Sequence, residues 1–504
     1  MNTNIFSYNE STSINTLDPH FVKSQSENWV VTQLNAGLVQ LDTLLQPKSM
    51  IADSWQVSND GLTYTFFLNK GVYFHAWENH GPRSVSAFDV LYSFNRLMNP
   101  STASPGTWVF SDKIDSVTPF RAIDSFTFSL RLKQAFPPLI GILSMPYCYV
   151  IPKEAVEFYG KDFRSHPVGC GPFYFKRWEE NVGLVLRRNV NYFEKDEHLK
   201  SLPYLEAIHI DVNPNKASAF MDFAAGKYDF FNEIESGVKD EILTPTGELT
   251  EKYKNLYNLQ KAPFLNTEFL MFNMEQSSAL IKNPKIRLAI NYAIDKASIV
   301  TNARNGLGTA ANHGFTPPSL LKKTTEGIAY NKTKALELIK QSGENIGAPI
   351  TLSITADYMD MALLIKNNLE QIGFNIKIEV HPSGYLRQLR NEQQIDFYRG
   401  SWIADYPDAE NYLACFYSKN LYPNGPNYSR YKNPQFDKLY EKSMQTTNSL
   451  IRQNLLHQMD SILLINPPFA LLYYDKSLRI SNKNVQQLFS YPNNSLQLKY
   501  VFKQ

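Results

Sequence analysis

Two stretches of this 504-residue chain repeat one local plan at widely separated positions. Residues 204–212 (YLEAIHIDV) read as a strand, 216–225 (KASAFMDFAA) as a helix stopped by Gly226, and 227–231 (KYDFF) as a second strand. Residues 350–355 (ITLSIT) read as a strand, roughly 358–372 as a helix stopped by Gly373, and FNIKIEV as a strand with Phe374, Ile376, Ile378 and Val380 on one face. Strands joined through a helix by short connections imply right-handed, parallel βαβ units. The chain is therefore expected to be α/β, with two separate open sheets. Open sheets take ligands beyond their carboxyl ends and at domain interfaces, so a cleft between two lobes is expected.

The remaining patterns fill in around these blocks. LTYTFFLNKGVYF at 62–74 reads as a hairpin about Asn69-Lys70-Gly71. A helix follows Pro82, where Ser86 and Asp89 have capping-box spacing before LYSFNRLM. FTFSLRL at 126–132 is another strand, and Pro137-Pro138 interrupts what comes after. This region reads as a compact α+β unit. Asn283-Pro284 opens a helix with Ile286, Ala289, Ile290, Ala293, Ile294 and Ala297 on one stripe. A further helix spans Asn331 to Gly343, with Ala335, Leu336 and Ile339 inward and Gly343 as its terminator. No solenoid repeat or low-complexity tract is present.

Charge and composition exclude several classes. Net charge is +2, from 50 Lys and Arg against 48 Asp and Glu, which leaves no electrostatic footprint for nucleic acid or anionic lipid. The chain is 43% hydrophobic and 19% charged, and no run approaches the roughly 18 apolar residues a membrane span needs. Cys148, Cys170 and Cys415 are widely spaced and signal neither a disulfide framework nor a zinc site. Residues 1–8 lack the basic patch and apolar stretch of a signal peptide, leaving a cytosolic protein or one whose export segment has been removed.

Catalytic signatures are missing as well. There is no GxSxG, HExxH, P-loop or dinucleotide fingerprint, so no enzyme and no cofactor is expected. His75, Glu78 and His80 fit no standard metal motif and read as a polar loop.

Seven segments, in order, resemble the extracytoplasmic solute-binding proteins of oligopeptide, dipeptide and nickel ABC importers. They are LDPH at 17–20, IADSWQVSNDGLTYTFFLNKGVYFH at 51–75, SAFDVLYSFNR at 86–96, PVGCGPF at 167–173, AAGKYD at 224–229, KIRLAINYAIDKASIV at 285–300 and SWIADYPDAENYL at 401–413. The resemblance implies a two-lobed, type II periplasmic-binding-protein-like clamp with an extra α+β domain. Lobe I would comprise 1–40, 161–265 and 476–504, the extra domain 41–160, and lobe II 266–475. It further implies a monomer in the periplasm or held as a cell-surface lipoprotein, which closes by hinge motion on a short peptide and delivers it to an ABC transporter permease.

In peptide-binding members of such a family an Asp matching Asp405 pairs with the ligand's α-amino group, and an Arg matching Arg399 helps neutralise its carboxyl end. Arg387, Arg390 and His381 compete for that second role, and Trp402, Tyr406 and Trp108 are candidate pocket walls. A turn or helix cap is the alternative reading of Asp405; Asp408 and Glu410 read as helix-start carboxylates. Two departures stand out: FHAWENHG replaces the usual FHDG, and Cys170 replaces the usual Thr. The same clamp could take a nickel chelate or a sugar, or serve as a peptide sensor or chaperone.

Overall fold

In the structure, a computed structural model that describes residues 4–232, 241–275 and 278–504, the strand Ile5–Glu10 pairs parallel with both Ala207–Val212 and Phe230–Phe231. The first βαβ block is thus present, with the helix Lys216–Ala224 in its crossover and the amino-terminal strand inserted between its two strands. Ala207–Val212 continues antiparallel to Gly183–Arg188, and that strand to Phe173–Glu179. Phe6, Tyr8, Ile208, Ile210 and Phe230 pack with Trp29 from the helix Gln25–Leu34. The Trp29 ring lies 5.9 Å from Phe230 and 6.3 Å from Tyr8, a separation suited to edge-to-face contact.

This sheet belongs to one of two compact units, Met1–Ile242 with Leu249–Ala262 and Leu478–Gln504. The same unit holds an antiparallel sheet in the order Ala52–Val57, Thr63–Leu68, Thr127–Arg131, Phe120–Asp124. The helix Ala87–Met98 packs on it, and Phe94 meets Phe110, Phe120 and Phe128 at ring separations of 5.0–5.5 Å. The Asp89 carboxylate accepts from the Ser86 N–H at 2.8 Å, as the spacing of the two residues required. The hairpin expected about Asn69-Lys70-Gly71 does not form. Both edges of Thr63–Leu68 are taken, by Ala52–Val57 and by Thr127–Arg131, and Tyr73 bridges to Ser84 instead.

The other unit is Leu243–Glu248 with Pro263–Ser477. Its second βαβ block is as expected: Pro349–Ile354 and Asn375–Val380 pair parallel, and the crossover helix Met359–Glu370 buries Met361, Ala362, Ile365 and Leu369. Pro349–Ile354 also neighbours Phe397–Ile403 in parallel, and Phe397–Ile403 runs antiparallel to Tyr257–Phe272. Tyr257–Phe272 and Phe469–Asn482 pass from one unit into the other as uninterrupted strands, so the ladders share strands and the expectation of two separate sheets is corrected. Among the described residues no helix is long and apolar enough to cross a membrane.

Two helix readings also change. The stripe from Ile286 breaks after Ala293, because Asp295 caps a new helix, Lys296–Arg304, by accepting from the Ser298 N–H at 3.0 Å. The break turns Ala297 outward and buries Lys296, whose Nζ donates to the Ala311 carbonyl at 3.0 Å and to the Ile328 carbonyl at 2.5 Å. In Lys332–Ser342, Ala335 is buried and Leu338 and Ile339 pack beside it, whereas Leu336 is exposed. Residues three and four apart share a face; a residue one along does not. Gly343 does end the helix, at φ 70°.

Candidate functional site

Alternation along Phe397–Ile403 sends its side chains to opposite faces. Tyr398 and Trp402 pack on one face, in the aromatic cluster of Phe315, Tyr412 and Phe416, while Arg399 points to the other. Gly400 lies opposite Phe269, and a Cβ there would come within 2.5 Å of the Phe269 ring. We expect Gly400→Ala to cost about 1–3 kcal/mol in a denaturant titration, as overpacking does when a neighbour is forced off its rotamer.

The strand ends in the loop 404–409, and the helix Glu410–Leu413 follows. Asn411, which is buried, is the hub of this turn. Its Oδ1 accepts from the Trp402 indole N–H at 2.9 Å and from the Asp405 backbone N–H at 3.3 Å. Asp405 itself stays exposed, and no Lys, Arg or His among the described residues forms an ion pair with it. Crowding from its surroundings nonetheless pushes its carboxyl above the usual range, against the hydrogen bond from Asn411. Next to it, the Tyr406 hydroxyl donates to Glu410 at 2.5 Å, and the Asp408 carboxylate is forked by Arg452 with two bonds of 2.8 Å.

Arg399 is engaged within the protein. Its Nε donates to Glu268 at 2.9 Å, its Nη2 reaches both Glu268 oxygens at 2.5 and 2.6 Å, and its Cζ lies 3.6 Å from the centre of the Tyr358 ring. Glu268 is buried; burial pushes its carboxyl up while the Arg399 charge pulls it down. Asn266 links this pair to a second one, donating to Glu268 at 3.1 Å and to Asp475 at 3.3 Å, and Asp475 accepts from Arg304 at 3.0 Å. Two guanidinium groups thus face two carboxylates in one hydrogen-bonded set.

The other sequence candidates are spread out. Arg387 is exposed on the helix Ser383–Asn391. Arg390, on the same helix, lies 4.0 Å from the centre of the Tyr428 ring. His381 is mostly enclosed, with Glu379 at 3.6 Å and the Tyr385 ring at 5.6 Å. Trp108 belongs to the unit that begins the chain, where its ring sits edge-on to Tyr147 at 6.4 Å. His75, Glu78 and His80 have separate partners: a Gly171 carbonyl at 3.0 Å, the Tyr159 hydroxyl at 2.8 Å and the stacked Trp77 ring at 4.1 Å.

Comparison with known proteins gives the family of the chain. Residues 46–424 match the family model described as "Bacterial extracellular solute-binding proteins, family 5 Middle". The chain belongs to family 5 of the bacterial extracellular solute-binding proteins. Over 491 residues it is 26% identical to the glutathione-binding protein GsiB of Salmonella choleraesuis, covering 95% of this chain and 90% of that one. HbpA2 from Haemophilus parasuis superposes with a TM-score of 0.88 at 21% identity, covering 99% and 100% of the two chains. The periplasmic binding protein DppA from Helicobacter pylori, solved in complex with peptide STSA, superposes with a TM-score of 0.73 at 24% identity over 99% and 98%. The fold of the chain is therefore the mixed α/β, two-lobed fold of this family.

The sequence singles out Asp405 and Arg399 but not the residues that hold them. Asn411, Glu268, Asp475, Arg304 and Tyr358 carry no motif of their own. Asn411 alone has a local signal, standing three residues beyond Asp408 in DAENYL. Glu410 does stand in the first turn of its helix, as expected, and the structure adds that it is buried between the hydroxyls of Tyr406 and Tyr440.

Proposed function

We propose that this protein is the extracytoplasmic substrate-binding component of an ABC importer, capturing short peptides by their free amino end and handing them to a membrane permease. The observation that carries the ligand class is Asp405: an exposed carboxylate at a strand end, without a cation among the described residues to neutralise it. A peptide α-ammonium is the group such a carboxylate lacks, and the bond it would make is charge-assisted and roughly twice as strong as a neutral one. The relatives support the class, since one is named for glutathione, a tripeptide, and another is solved with peptide STSA.

At the carboxyl end the candidates separate by engagement. Arg399 is forked on Glu268, whereas Arg387 is exposed and has no acidic partner among the described residues, which favours Arg387 over Arg399, Arg390 and His381 as the carboxylate's direct contact. Trp402, Tyr406 and Trp108 are proposed as walls, and loose side-chain selectivity follows if the peptide is held by its main chain. In this reading the protein is a monomer, exported to the periplasm or the cell surface, that binds and does not turn over its ligand.

Native mass spectrometry of the protein as purified tests the proposal. A ladder of peptide masses supports it; one fixed, non-peptide mass favours a chelate or sugar ligand instead. Incubation with tri-alanine should return the peptide intact, and release of alanine would overturn the non-catalytic reading.

A further inference from the structure

We infer that Arg452 and Tyr440 are positioning residues that hold the Asp405 loop in its ligand-ready shape before any ligand arrives. The inference rests on the amino-end role proposed for Asp405. Neither residue lies in the loop or in its flanking elements: Tyr440 is on the helix Pro434–Gln445 and Arg452 on the helix Ser449–Ile465.

The loop has little backbone structure to fix it. Ala404 donates to the Leu265 carbonyl at 3.0 Å, and beyond that point the main-chain bonds stay within the turn, from the Asp408 N–H to the Tyr406 carbonyl at 2.8 Å and from the Asn411 N–H to the Asp408 carbonyl at 3.1 Å. Asn411 holds the Asp405 N–H from the adjoining helix, and side chains from the two distant helices anchor the residues after it. Arg452, only 9% exposed, forks both oxygens of Asp408 at 2.8 Å, and Asp408 Oδ1 also accepts from the Glu410 N–H at 2.9 Å. Glu410, 3% exposed, takes one phenol from inside the loop, Tyr406, and one from outside it, Tyr440. Tyr440 is itself held by the stacked Tyr417 ring at 4.3 Å.

Asp405 thus sits in a segment gripped three and five residues downstream by buried groups on other helices. A planar guanidinium fork fixes direction as well as distance, which a lysine ammonium cannot do. If the grip is loosened, the loop samples other shapes, and apparent affinity falls by the fraction that remains competent. Such a loss appears in the association rate, whereas loss of a direct contact appears in dissociation.

Stopped-flow binding of tri-alanine and of reduced glutathione to Arg452→Lys, Tyr440→Phe and Asp405→Asn tests the inference. We expect the first two to slow association about 10-fold with dissociation within about twofold of the parent, and Asp405→Asn to speed dissociation. Tyr440→Phe removes one hydroxyl from an otherwise intact core, so it carries the test if Arg452→Lys folds poorly. Lowered melting temperature with unchanged association in both variants would show a merely structural role and overturn the inference. Faster dissociation in both variants would make them ligand contacts and overturn it as well. Weakened binding in Asp405→Asn with parental kinetics in the other two defeats the inference alone. Parental binding in Asp405→Asn defeats the amino-end reading on which it rests.

Discussion

Replacing Asp405 with Asn should weaken a tripeptide with a free amino end by about 2 kcal/mol or more, some 30-fold, because the bound ammonium, enclosed by the proposed site, then loses its only charged partner. The parent protein should already bind the N-acetylated form of the same peptide poorly, and the Asn variant should discriminate little between the two. Isothermal titration of the four combinations gives the coupling between the carboxylate and the ammonium directly. Equal binding of free and acetylated peptide to the parent would remove Asp405 from the site. Acid adds a second check. Crowding raises the Asp405 carboxyl, so its charge is lost at a pH above the usual carboxylate range, and free-amine binding should weaken on acidification sooner than an ordinary carboxylate would allow.

Asp460 is expected to give a large pH-dependent stability effect. It is fully buried on the helix Ser449–Ile465, where its Oδ1 accepts from the Phe315 N–H at 2.9 Å and the Thr316 N–H at 3.3 Å. Gly314 makes this possible, because a Cβ at that position would lie 1.5 Å from Asp460 Oδ2. Burial outweighs these hydrogen bonds and pushes the carboxyl from 3.8 up to about 7. The native state therefore binds a proton that the unfolded chain releases, and stability falls as pH rises from about 4 to about 7. Linkage makes the full loss about 4 kcal/mol.

His20 and His75 act in the opposite sense over part of that window. Burial lowers both to about 4, so each contributes stability that is lost as pH falls from 6.5. The measurement is therefore the difference between parent and Asp460→Asn, taken by denaturant titration at several pH values. An amide keeps an acceptor for the two N–H groups and replaces the acid O–H with an N–H donor. We expect the variant to match the parent near pH 4 and to exceed it by about 4 kcal/mol at pH 8. Parallel stability curves would show that Asp460 is ionised in the folded protein. Lys296, lowered to about 7 by burial, titrates on the other side of neutrality: its contribution rises between pH 7 and 10.5 and leaves the Asp460 window clear.

Both βαβ blocks, the caps at Ser86 and Gly343 and the loop bearing Asp405 were legible in the sequence, because each depends on residues within a few positions of one another. Hydrophobic period, a carboxylate three residues into a helix and a glycine after its last turn act locally. The hairpin at 69–71 was misread for the converse reason. The residues favour a turn, but Thr63–Leu68 has two other strands for its edges, one of them some sixty residues away. Strand pairing is a competition among distant partners, and local preference enters it only weakly.

The same division runs through the site. Sequence alone supplied a carboxylate, an arginine and two aromatic side chains in one short stretch. That Arg399 faces away from Trp402 and is held by Glu268, that Asn411 ties Trp402 to the Asp405 backbone, and that Arg452 and Tyr440 grip the loop from two other helices were decided by tertiary structure. A buried charge must find its partner wherever the fold brings one within hydrogen-bond distance, and that distance is unrelated to separation along the chain.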